Sequence, residues 1–357
     1  MPPNMKQIAG MAGVSLGTVS HVLNDSARVR EPLRRRVLEA VEALGYQPSQ
    51  LARGLRRDKT NMIGMVIPDV TNPFFPAVVR GVEDLAFSNG YRLILCNTDN
   101  DHAKELAHLN ELRTYLPSGL IVIPSSFSDL TVQAERYRRA GTAVVCVDRL
   151  PKSWNGDSVT VANEEGAYAA TRHLLKVGHR RLAAIIGPLH LTNAQERIAG
   201  FRRALTSVKL RVDPEFIQET NFDRSGGHAK ARLILKMLPR PTAIFAGNDM
   251  IALGVIQAIR ELGLNCPGDV SVIGFDDLDF AELTSPSLSS VSQSGYQLGA
   301  TAARILLDRM TGDESQPKQL VLETQLKIRE SVAPPKNNSA SGIAGADLRK
   351  RNRVRTG

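Results

Sequence analysis

The sequence predicts an α/β protein in which a small all-α N-terminal unit precedes two lobes, each a doubly wound parallel sheet. Three short helical patterns separated by turn residues fill residues 4–46. After residue 60, apolar β-type runs alternate with helical stretches, and this rhythm occurs twice before residue 335. Strands that are apolar on both faces and separated by helices indicate parallel sheets covered by helices. Two such series predict two similar lobes.

The N-terminal unit is predicted to contain three short helices. The first covers about residues 5–12 with Asn4 as its N-cap, and the second starts at Ser15, another residue type that caps helices well. The third carries Pro32 in its first turn, where proline is tolerated, and ends at Gly45. Two short helices joined by a tight turn are typical of a helix-turn-helix that reads DNA. The alternative is a three-helix bundle with no DNA role.

Residues 47–60, QPSQLARGLRRDKT, are predicted to be a linker. The segment carries four basic residues after Ala52 and too few apolar groups to fold alone. Leu51 and Leu55 are four residues apart and would share a face if the segment became helical.

Apolar runs indicate where the strands of the two lobes lie. Strands are predicted at 63–67, 91–96, 119–123, 143–147 and 159–161, and then at 181–186, 243–246 and 270–275. Helices are predicted between them at 76–89, 103–115, 164–177, 195–207 and 225–238. Ligands of such sheets bind beyond the carboxyl ends of the strands, so we expect a small ligand in the crevice between the lobes.

Positive charge is concentrated at the two ends of the chain. The 357 residues carry a formal net charge of +9. Residues 1–60 hold ten Lys/Arg against five Asp/Glu, and residues 336–357 hold six against one, so the body is close to neutral. An end of the chain, and not the body, is therefore expected to meet a polyanion. Residues 336–357 are expected to form a disordered basic tail.

Other classes of protein are not indicated. The chain has three widely spaced cysteines, Cys96, Cys146 and Cys266, which form neither a disulfide framework nor a metal spacing. There is no signal-peptide pattern and no run of 18 apolar residues, so we expect a cytoplasmic protein. No phosphate-binding glycine motif or nucleophile–base arrangement is visible, so no enzyme, cofactor or metal is predicted. Asp276, Asp277 and Asp279 are spaced like one ligand-binding carboxylate plus a solvated loop.

Eight motifs occur in order along the chain: AGVSLGTVSHVLN, ALGYQPSQLAR, IPDVTNPFF, CVDR, QERIAGF, FAGNDMIALG, VIGFDD and IRES. Together they resemble the lac-repressor (LacI/GalR) family of transcription regulators over about residues 4–335. The resemblance implies a helix-turn-helix headpiece (1–46), a hinge helix (47–60) and a body (61–335) like a periplasmic sugar-binding protein. It also implies a homodimer that binds a pseudopalindromic operator on double-stranded DNA under the control of a small effector.

The resemblance also divides the body. The first lobe is expected at about 61–161 plus 293–320, and the second at about 162–292 plus 321–335.

At the DNA-reading end, the resemblance places Leu16, Gly17 and His21 at base-reading positions of the second helix. Leu16 can contact a thymine methyl, Gly17 offers only its backbone, and His21 can donate to a purine N7 or O6. Four further residues are expected to bind phosphate, with helix capping and solvation as the alternative: Ser15, Thr18, Ser20 and Asn24.

The linker resembles the family's hinge helix. Leu55 matches the leucine that wedges into the minor groove, and Arg53, Arg56 and Arg57 would neutralise phosphates. Gly54 departs from the family pattern, because a helical glycine costs roughly 1 kcal/mol relative to alanine. The alternative is a flexible solvated linker.

In the cleft, the resemblance points to ten effector-binding residues that match those of ribose-type binding proteins. They are Asn72, Phe74, Phe75, Asp148, Arg149, Arg197, Phe222, Asn248, Asp276 and Gln293. Carboxylates, amides and guanidinium groups can bond several hydroxyls while phenyl rings cover C–H surface, so ribose or a related pentose is favoured. Structural alternatives are that Phe75 belongs to the core, that Asp249 caps the next helix and that Asp148 only pairs with Arg149.

The expected function is that of a repressor of a sugar-utilisation operon. The alternatives are the same architecture responding to a purine or to a protein co-effector, or a sugar-binding protein without a DNA function.

Overall fold

The computed structural model describes residues 3–24, 29–46, 60–125, 130–151, 153–211 and 213–336. Its N-terminal unit consists of three helices, α1 (Met5–Ala12), α2 (Leu16–Asn24) and α3 (Glu31–Ala43). Asn4 and Gln7 form a capping box at the start of α1, and Gly13, at φ +61°, turns the chain toward α2. Ile8, Val19 and Val37 are buried between the helices. The predicted three-helix unit is confirmed.

The first lobe is a six-stranded parallel sheet with strand order β11-β5-β4-β3-β1-β2. Its strands are β1 (Thr60–Ile67), β2 (Arg92–Asn97), β3 (Pro117–Val122), β4 (Ala143–Val147), β5 (Asp157–Val161) and β11 (Gln319–Leu322). Its helices are α4 (Phe74–Ser88), α5 (His102–Thr114), α6 (Leu130–Arg139) and α12 (Gly295–Met310).

The second lobe is a sheet with strand order β12-β10-β9-β8-β6-β7, in which only β12 is antiparallel to its neighbour. Its strands are β6 (Leu182–Ile186), β7 (Ile217–Glu219), β8 (Ala243–Ala246), β9 (Ser271–Asp276), β10 (Ser289–Ser292) and β12 (Gln325–Lys327). Its helices are α7 (Asn163–Val177), α8 (Thr192–Thr206), α9 (Arg224–Lys236), α10 (Asp249–Glu261) and the short α11 (Phe280–Leu283), and a 3₁₀ turn covers Pro214–Phe216.

Within the described residues, the chain passes between the lobes three times, after β5, after β10 and after β11. The third crossing lies between β11 and β12, whereas the expected boundary at 320 falls inside β11. Thr60, assigned to the linker, is the first residue of β1. Lys336, assigned to the tail, donates from Nζ to Asp269 Oδ1 at 2.7 Å.

Each sheet is buried by helices on both faces, which explains its apolar strands. In the first lobe, Met65, Ile121 and Val145 lie in one buried cluster together with Val78 of α4. The strands missing from the predicted ranges are short or polar, such as β10 (SSVS) and β7. The predicted helix ranges also leave out α6, α10 and α12. None of the helices in the described ranges is long and apolar enough to cross a membrane.

Candidate DNA-reading helix and effector cavity

Helix α2 presents a polar and glycine-containing surface outside the headpiece core. Val19 and Val22 are buried, whereas Leu16 is 46% exposed and Gly17 and His21 are also exposed. The three predicted base-reading residues therefore lie on the outer surface of the helix, where a groove of DNA could reach them.

The residues predicted to bind phosphate have local roles as well. Ser15 precedes α2, and its Oγ accepts from the Thr18 amide at 3.1 Å and bonds Thr18 Oγ1 at 2.9 Å. Ser20 is half-buried, and Asn24 is the last residue of α2. The capping alternative therefore holds for Ser15, which does not prevent its hydroxyl from meeting a phosphate. The predicted hinge residues Arg53, Leu55 and Arg56 lie outside the described residues.

All ten residues predicted to bind the effector line one small cavity between the lobes, which we call the inner cavity. Most of them end or follow β1, β4, β7, β8, β9 and β10, whereas Phe74 and Phe75 begin α4 and Arg197 lies in the second turn of α8. Asn193 of α8 lines the same cavity and was missed. The predicted helix began at 195, three residues later than α8 does, so Asn193 was assigned to a loop.

The first-lobe side of the inner cavity holds a buried ion pair with unsatisfied atoms. Asp148 Oδ2 lies 3.6 Å from Arg149 Nε and accepts from Asn193 Nδ2 at 3.1 Å. Asp148 adopts φ +67°, a left-handed conformation that is costly for a residue other than glycine and occurs preferentially at functional sites. Among the described residues, Asp148 Oδ1 and Arg149 Nε and Nη1 are buried without a hydrogen-bond partner. Such atoms are suited to bind polar groups of a ligand.

The second-lobe side is a network centred on Arg197. Its Nε donates to Asn163 Oδ1 at 2.9 Å and its Nη1 donates to the Gly247 carbonyl at 2.7 Å. Its guanidinium lies 3.8 Å from the centroid of the Phe275 ring and 3.7 Å from Asp276 Oδ1. These contacts hold the Arg197 guanidinium in one orientation facing the cavity.

Asp276 at the end of β9 and Gln293 directly after β10 meet at the cavity. Asp276 adopts φ +116°, and its Oδ1 accepts from Gln293 Nε2 at 2.5 Å. Gln293 Oε1 is buried and unpartnered within the described part of the chain. Gln293 therefore offers an acceptor to a ligand while it orients the carboxylate.

Burial dominates the protonation of the cavity carboxylates. It raises the pKa of Asp276 to about 7, although Arg197 and Gln293 favour the charged form. Burial also raises the pKa of Asp148, against the opposing effect of Arg149 and Arg197. A ligand that donates hydrogen bonds to these oxygens would favour their charged forms.

Three phenyl rings supply the apolar surface. Phe74 and Phe75 meet edge to face with centroids 5.3 Å apart, and the Arg149 guanidinium lies 5.8 Å from the Phe75 centroid. Phe222 faces them from the second lobe, 5.9 Å from the Arg197 guanidinium. Phe75 is buried in the first-lobe core and also lines the cavity, so its place in the core does not exclude contact with a ligand.

Backbone N–H groups orient the side-chain amides of Asn72 and Asn248 in the cavity. Asn72 Oδ1 accepts from the Phe74 amide at 3.1 Å. Asn248 Oδ1 caps α10 by accepting from the Ile251 amide at 2.8 Å. The expectation that Asp249 caps this helix is wrong, because Asp249 bonds the Leu278 amide and Ser290 Oγ instead.

A larger space, which we call the outer cleft, lies beside the inner cavity. The inner cavity has a volume of about 20 Å³, room for about one water, whereas the outer cleft has about 520 Å³. Four residues line both spaces and form the passage between them: Asn72, Phe75, Arg149 and Phe222. Binding of an organic ligand in the inner cavity therefore requires Arg149 and its neighbours to move or the lobes to open.

The acidic loop after β9 has a structural role. Asp277 is largely buried and pairs with Arg329 Nη1 at 2.7 Å, so the expectation of a solvated loop is wrong at this residue. In the ranges that the structure describes, no group of three His, Cys, Asp or Glu side chains is arranged to hold a metal ion.

Two family models match the chain. Residues 4–49 match the bacterial regulatory proteins of the lacI family, and residues 171–332 match a periplasmic binding protein-like domain. The HTH-type transcriptional repressor PurR of Vibrio parahaemolyticus is 37% identical over 330 residues, which are 92% of this chain and 98% of the relative.

Solved structures agree with this assignment. The lac repressor dimer bound to operator and the anti-inducer ONPF superposes with a TM-score of 0.81 at 25% identity, covering 93% of this chain and all of that one. A LacI family regulator from Enterococcus faecium with bound ribose gives a TM-score of 0.70 at 30% identity, covering 77% of this chain and all of that one.

These matches identify the family of the protein but not the chemical class of its effector. Because the family consists of transcriptional regulators, the prediction that the chain is not an enzyme is confirmed. The expected sugar effector is not confirmed, since the curated relatives are named PurR and favour the purine alternative. The chain belongs to the LacI family of bacterial regulatory proteins and is a DNA-binding transcriptional repressor.

Proposed function

We propose that this repressor is controlled by a pentose, ribose or a close relative, bound in the inner cavity. The observation that carries the proposal is the set of groups gathered there. Two carboxylates, two guanidinium groups and several amides surround a space covered by three phenyl rings. Every hydroxyl of a sugar both donates and accepts, so a cavity with charged acceptors and fixed donors on opposite sides suits a polyol.

The unsatisfied atoms support the same ligand. Asp148 Oδ1 and Gln293 Oε1 can accept, and Arg149 Nε and Nη1 can donate, within one buried space. A buried polar atom without a partner costs about 1–3 kcal/mol, which ligand hydroxyls would recover. The E. faecium relative with bound ribose adds a precedent at 30% identity.

A purine is the second candidate, and the PurR names of the curated relatives favour it. Its flat faces could pack against Phe75 and Phe222, and Asp276 could accept from a ring N–H. A purine would leave more of the charged groups unpaired than a pentose, which is why we place it second.

On DNA, we propose a homodimer in which each α2 reads one half-site of a pseudopalindromic operator in a sugar-utilisation operon. Leu16 and His21 would contact base edges, and Ser15, Thr18, Ser20 and Asn24 would contact phosphates. Arg53 and Arg56 would add phosphate contacts, and Leu55 would wedge into the minor groove. The exposure of Leu16, Gly17 and His21 supports this arrangement.

The test of the reading helix is His21→Ala. Loss of a base contact should cost about 1–3 kcal/mol and relax preference at one base pair of each half-site. Operator selection with the wild type, His21→Ala and the second-lobe control His173→Ala would measure this. Unchanged preference in the His21 variant would refute its role as a base reader.

The test of the effector is a thermal-shift screen of the full-length protein with pentoses, hexoses and purine bases, followed by operator titration with each hit. We expect stabilisation by ribose or a related pentose and a change in operator affinity. Stabilisation by purine bases alone would show that the effector is a purine and not a pentose. No response to any sugar or purine would refute both.

A further inference from the structure

The outer cleft is far larger than the inner cavity and has a different chemistry. It extends from the passage formed by the four shared residues, so a ring admitted to the inner cavity by movement of Arg149 or of the lobes would have one edge toward it. A free pentose would fill the inner site and leave this second space of about 520 Å³ to solvent.

The walls of the outer cleft combine flat apolar surface with hydrogen-bonding groups. The Phe222 ring, Pro188 and Leu191 supply apolar surface, and the imidazole of His190 lies beside them. Asn100 and Asn221 supply amides that can both donate and accept. A planar heteroaromatic group has two apolar faces and polar edges, and such walls suit it.

Charge limits what the outer cleft can hold. Apart from Arg149 in the passage, its described lining contains no Lys or Arg, whereas Asp69, Asp99 and Asp223 contribute three carboxylates. Lys104 pairs with Asp99 at 2.5 Å and offsets one of them. The remaining negative charge disfavours a phosphate.

Within the described residues, one oxygen of Asp69 and one of Asp223 accept no hydrogen bond. Asp69 Oδ1 accepts from the Thr71 amide at 2.8 Å and from Thr71 Oγ1 at 2.7 Å. Asp223 Oδ1 accepts from the Gly226 amide and from Ser225 Oγ, both at 2.6 Å. Because these bonds use one oxygen of each carboxylate, the other can accept an N–H from a ligand.

We infer that the effector is a neutral nucleoside, with its pentose in the inner cavity and its base in the outer cleft. The inference rests on the proposed pentose site and names the substituent that the pentose carries. A nucleoside contains both a pentose, which suits the inner cavity, and a planar base, which suits the outer cleft.

The test is calorimetric titration of the full-length protein with six ligands: ribose, methyl ribofuranoside, adenosine, hypoxanthine, ribose 5-phosphate and a pentose disaccharide. Adenosine should bind at least tenfold more tightly than ribose or the methyl riboside. Ribose 5-phosphate should bind at least tenfold more weakly than ribose. Hypoxanthine should bind more weakly than adenosine because it leaves the inner cavity unfilled.

Two variants test the position of the base. Asn221→Ala and His190→Ala should each weaken adenosine at least fivefold and leave ribose affinity unchanged, so that ribose is the internal control for folding. An equal loss for both ligands would overturn the assignment of the base to the outer cleft.

The remaining outcomes separate the two proposals. If ribose binds and adenosine binds no more tightly, the nucleoside inference fails and the pentose site stands. If the disaccharide or ribose 5-phosphate binds more tightly than adenosine, the outer cleft has been assigned to the wrong substituent. If hypoxanthine matches adenosine, or if no sugar-containing ligand binds, the pentose site itself fails.

Discussion

At the scale of single residues, the effector cavity contains charged groups whose burial and backbone conformation are energetically unfavourable. Asp148 and Asp276 are buried and both adopt left-handed backbone conformations. Arg149 is 2% exposed and has two nitrogens without a partner in the described structure. Such an arrangement is unfavourable for folding and favourable for binding, because a ligand that satisfies these groups recovers part of the cost.

Effector affinity should depend on pH through Asp276. Its folded-state pKa is raised to about 7, so the effector-free protein binds a proton that the unfolded chain releases near pH 4. Stability should therefore fall as pH rises between these values, since the folded state binds more protons. Ligand hydroxyls that donate to the carboxylate favour its charged form, so affinity should rise as the proton is lost.

Calorimetry between about pH 6 and pH 8 would measure this effect, which we expect to reach several-fold up to about tenfold in Kd. Asp276→Asn should bind more weakly and lose most of the pH dependence, with a remainder from Asp148. A steeper profile in the Asn variant than in the wild type would contradict the assignment.

At the scale of elements, the segments that cross between the lobes also hold the cavity residues. Asn163 is the first residue of α7, directly after the first crossing, and it is 1% exposed. Its Oδ1 accepts from Arg197 Nε at 2.9 Å, and its Nδ2 donates to Glu196 Oε2 at 2.9 Å. Gln293 directly follows β10 at the second crossing and bonds Asp276. Single hydrogen bonds thus connect the cavity residues to the crossings.

Asn163 should position Arg197 and transmit the effector signal. Asn163→Ala removes both bonds and should reduce effector affinity about tenfold, because a bond to a charged group contributes about 1.5–3 kcal/mol. Asn163→Asp keeps the acceptor for Arg197 and should retain more affinity, although its charge faces Glu196. The ratio of operator affinities with and without effector would report the coupling. Equal affinities of both variants and the wild type would exclude this role.

Helix pairs of both lobes approach closely at glycines. A Cβ on Gly299 of α12 would overlap the Val78 carbonyl of α4, and one on Gly200 of α8 would overlap the Glu164 carbonyl of α7. Similarly, Gly254 of α10 faces the Arg224 carbonyl of α9. The helices that carry cavity residues are therefore fixed against their neighbours by backbone contact.

Gly299→Ala should destabilise the first lobe by about 1–3 kcal/mol, as overpacking does in other cores. Denaturant unfolding would measure it. Gly10→Ala is a suitable control because its Cβ would meet nothing within 4 Å, and alanine there should stabilise α1 by up to about 1 kcal/mol. An unchanged midpoint for Gly299→Ala would show that the helices can separate without cost.

At the scale of the whole molecule, the basic charge and the ligand cavity lie in different parts of the chain. Residues 1–60 have an excess of five basic residues, whereas the two-lobed body is near neutral and contains the cavity. Operator binding should therefore depend on salt and effector binding should not. An effector can alter DNA affinity only by binding the two conformations of the body unequally, typically by 1–3 kcal/mol.

Operator affinity should fall about a thousandfold or more between about 50 and 200 mM salt if the dimer makes six to ten phosphate contacts. Fluorescence anisotropy with labelled operator would give the slope. Removal of residues 1–60 should abolish operator binding and leave effector binding intact. A flat salt response of the full-length protein would rule out a phosphate-rich interface.

The sequence by itself determined the order of the units and the parallel sheets, because buried strands are continuous apolar runs. The ten residues that meet in the inner cavity came from the resemblance of its motifs to the lac-repressor family, and most of them lie near predicted strand ends. Polar or short strands such as β10 and β7 were not predicted, because they contain no continuous apolar run. Asn193 was missed for the related reason that helix boundaries are set by local contacts beyond the apolar pattern.

Only the tertiary structure decided which lobe β11 joins, which atoms of Asp148, Arg149 and Gln293 lack partners, and that Asn163 connects Arg197 to the first crossing. Only the tertiary structure placed an acidic outer cleft of about 520 Å³ beside the small inner cavity. These features depend on contacts between segments far apart in the chain. No single segment of sequence encodes the distance between two side chains that fold together from opposite lobes.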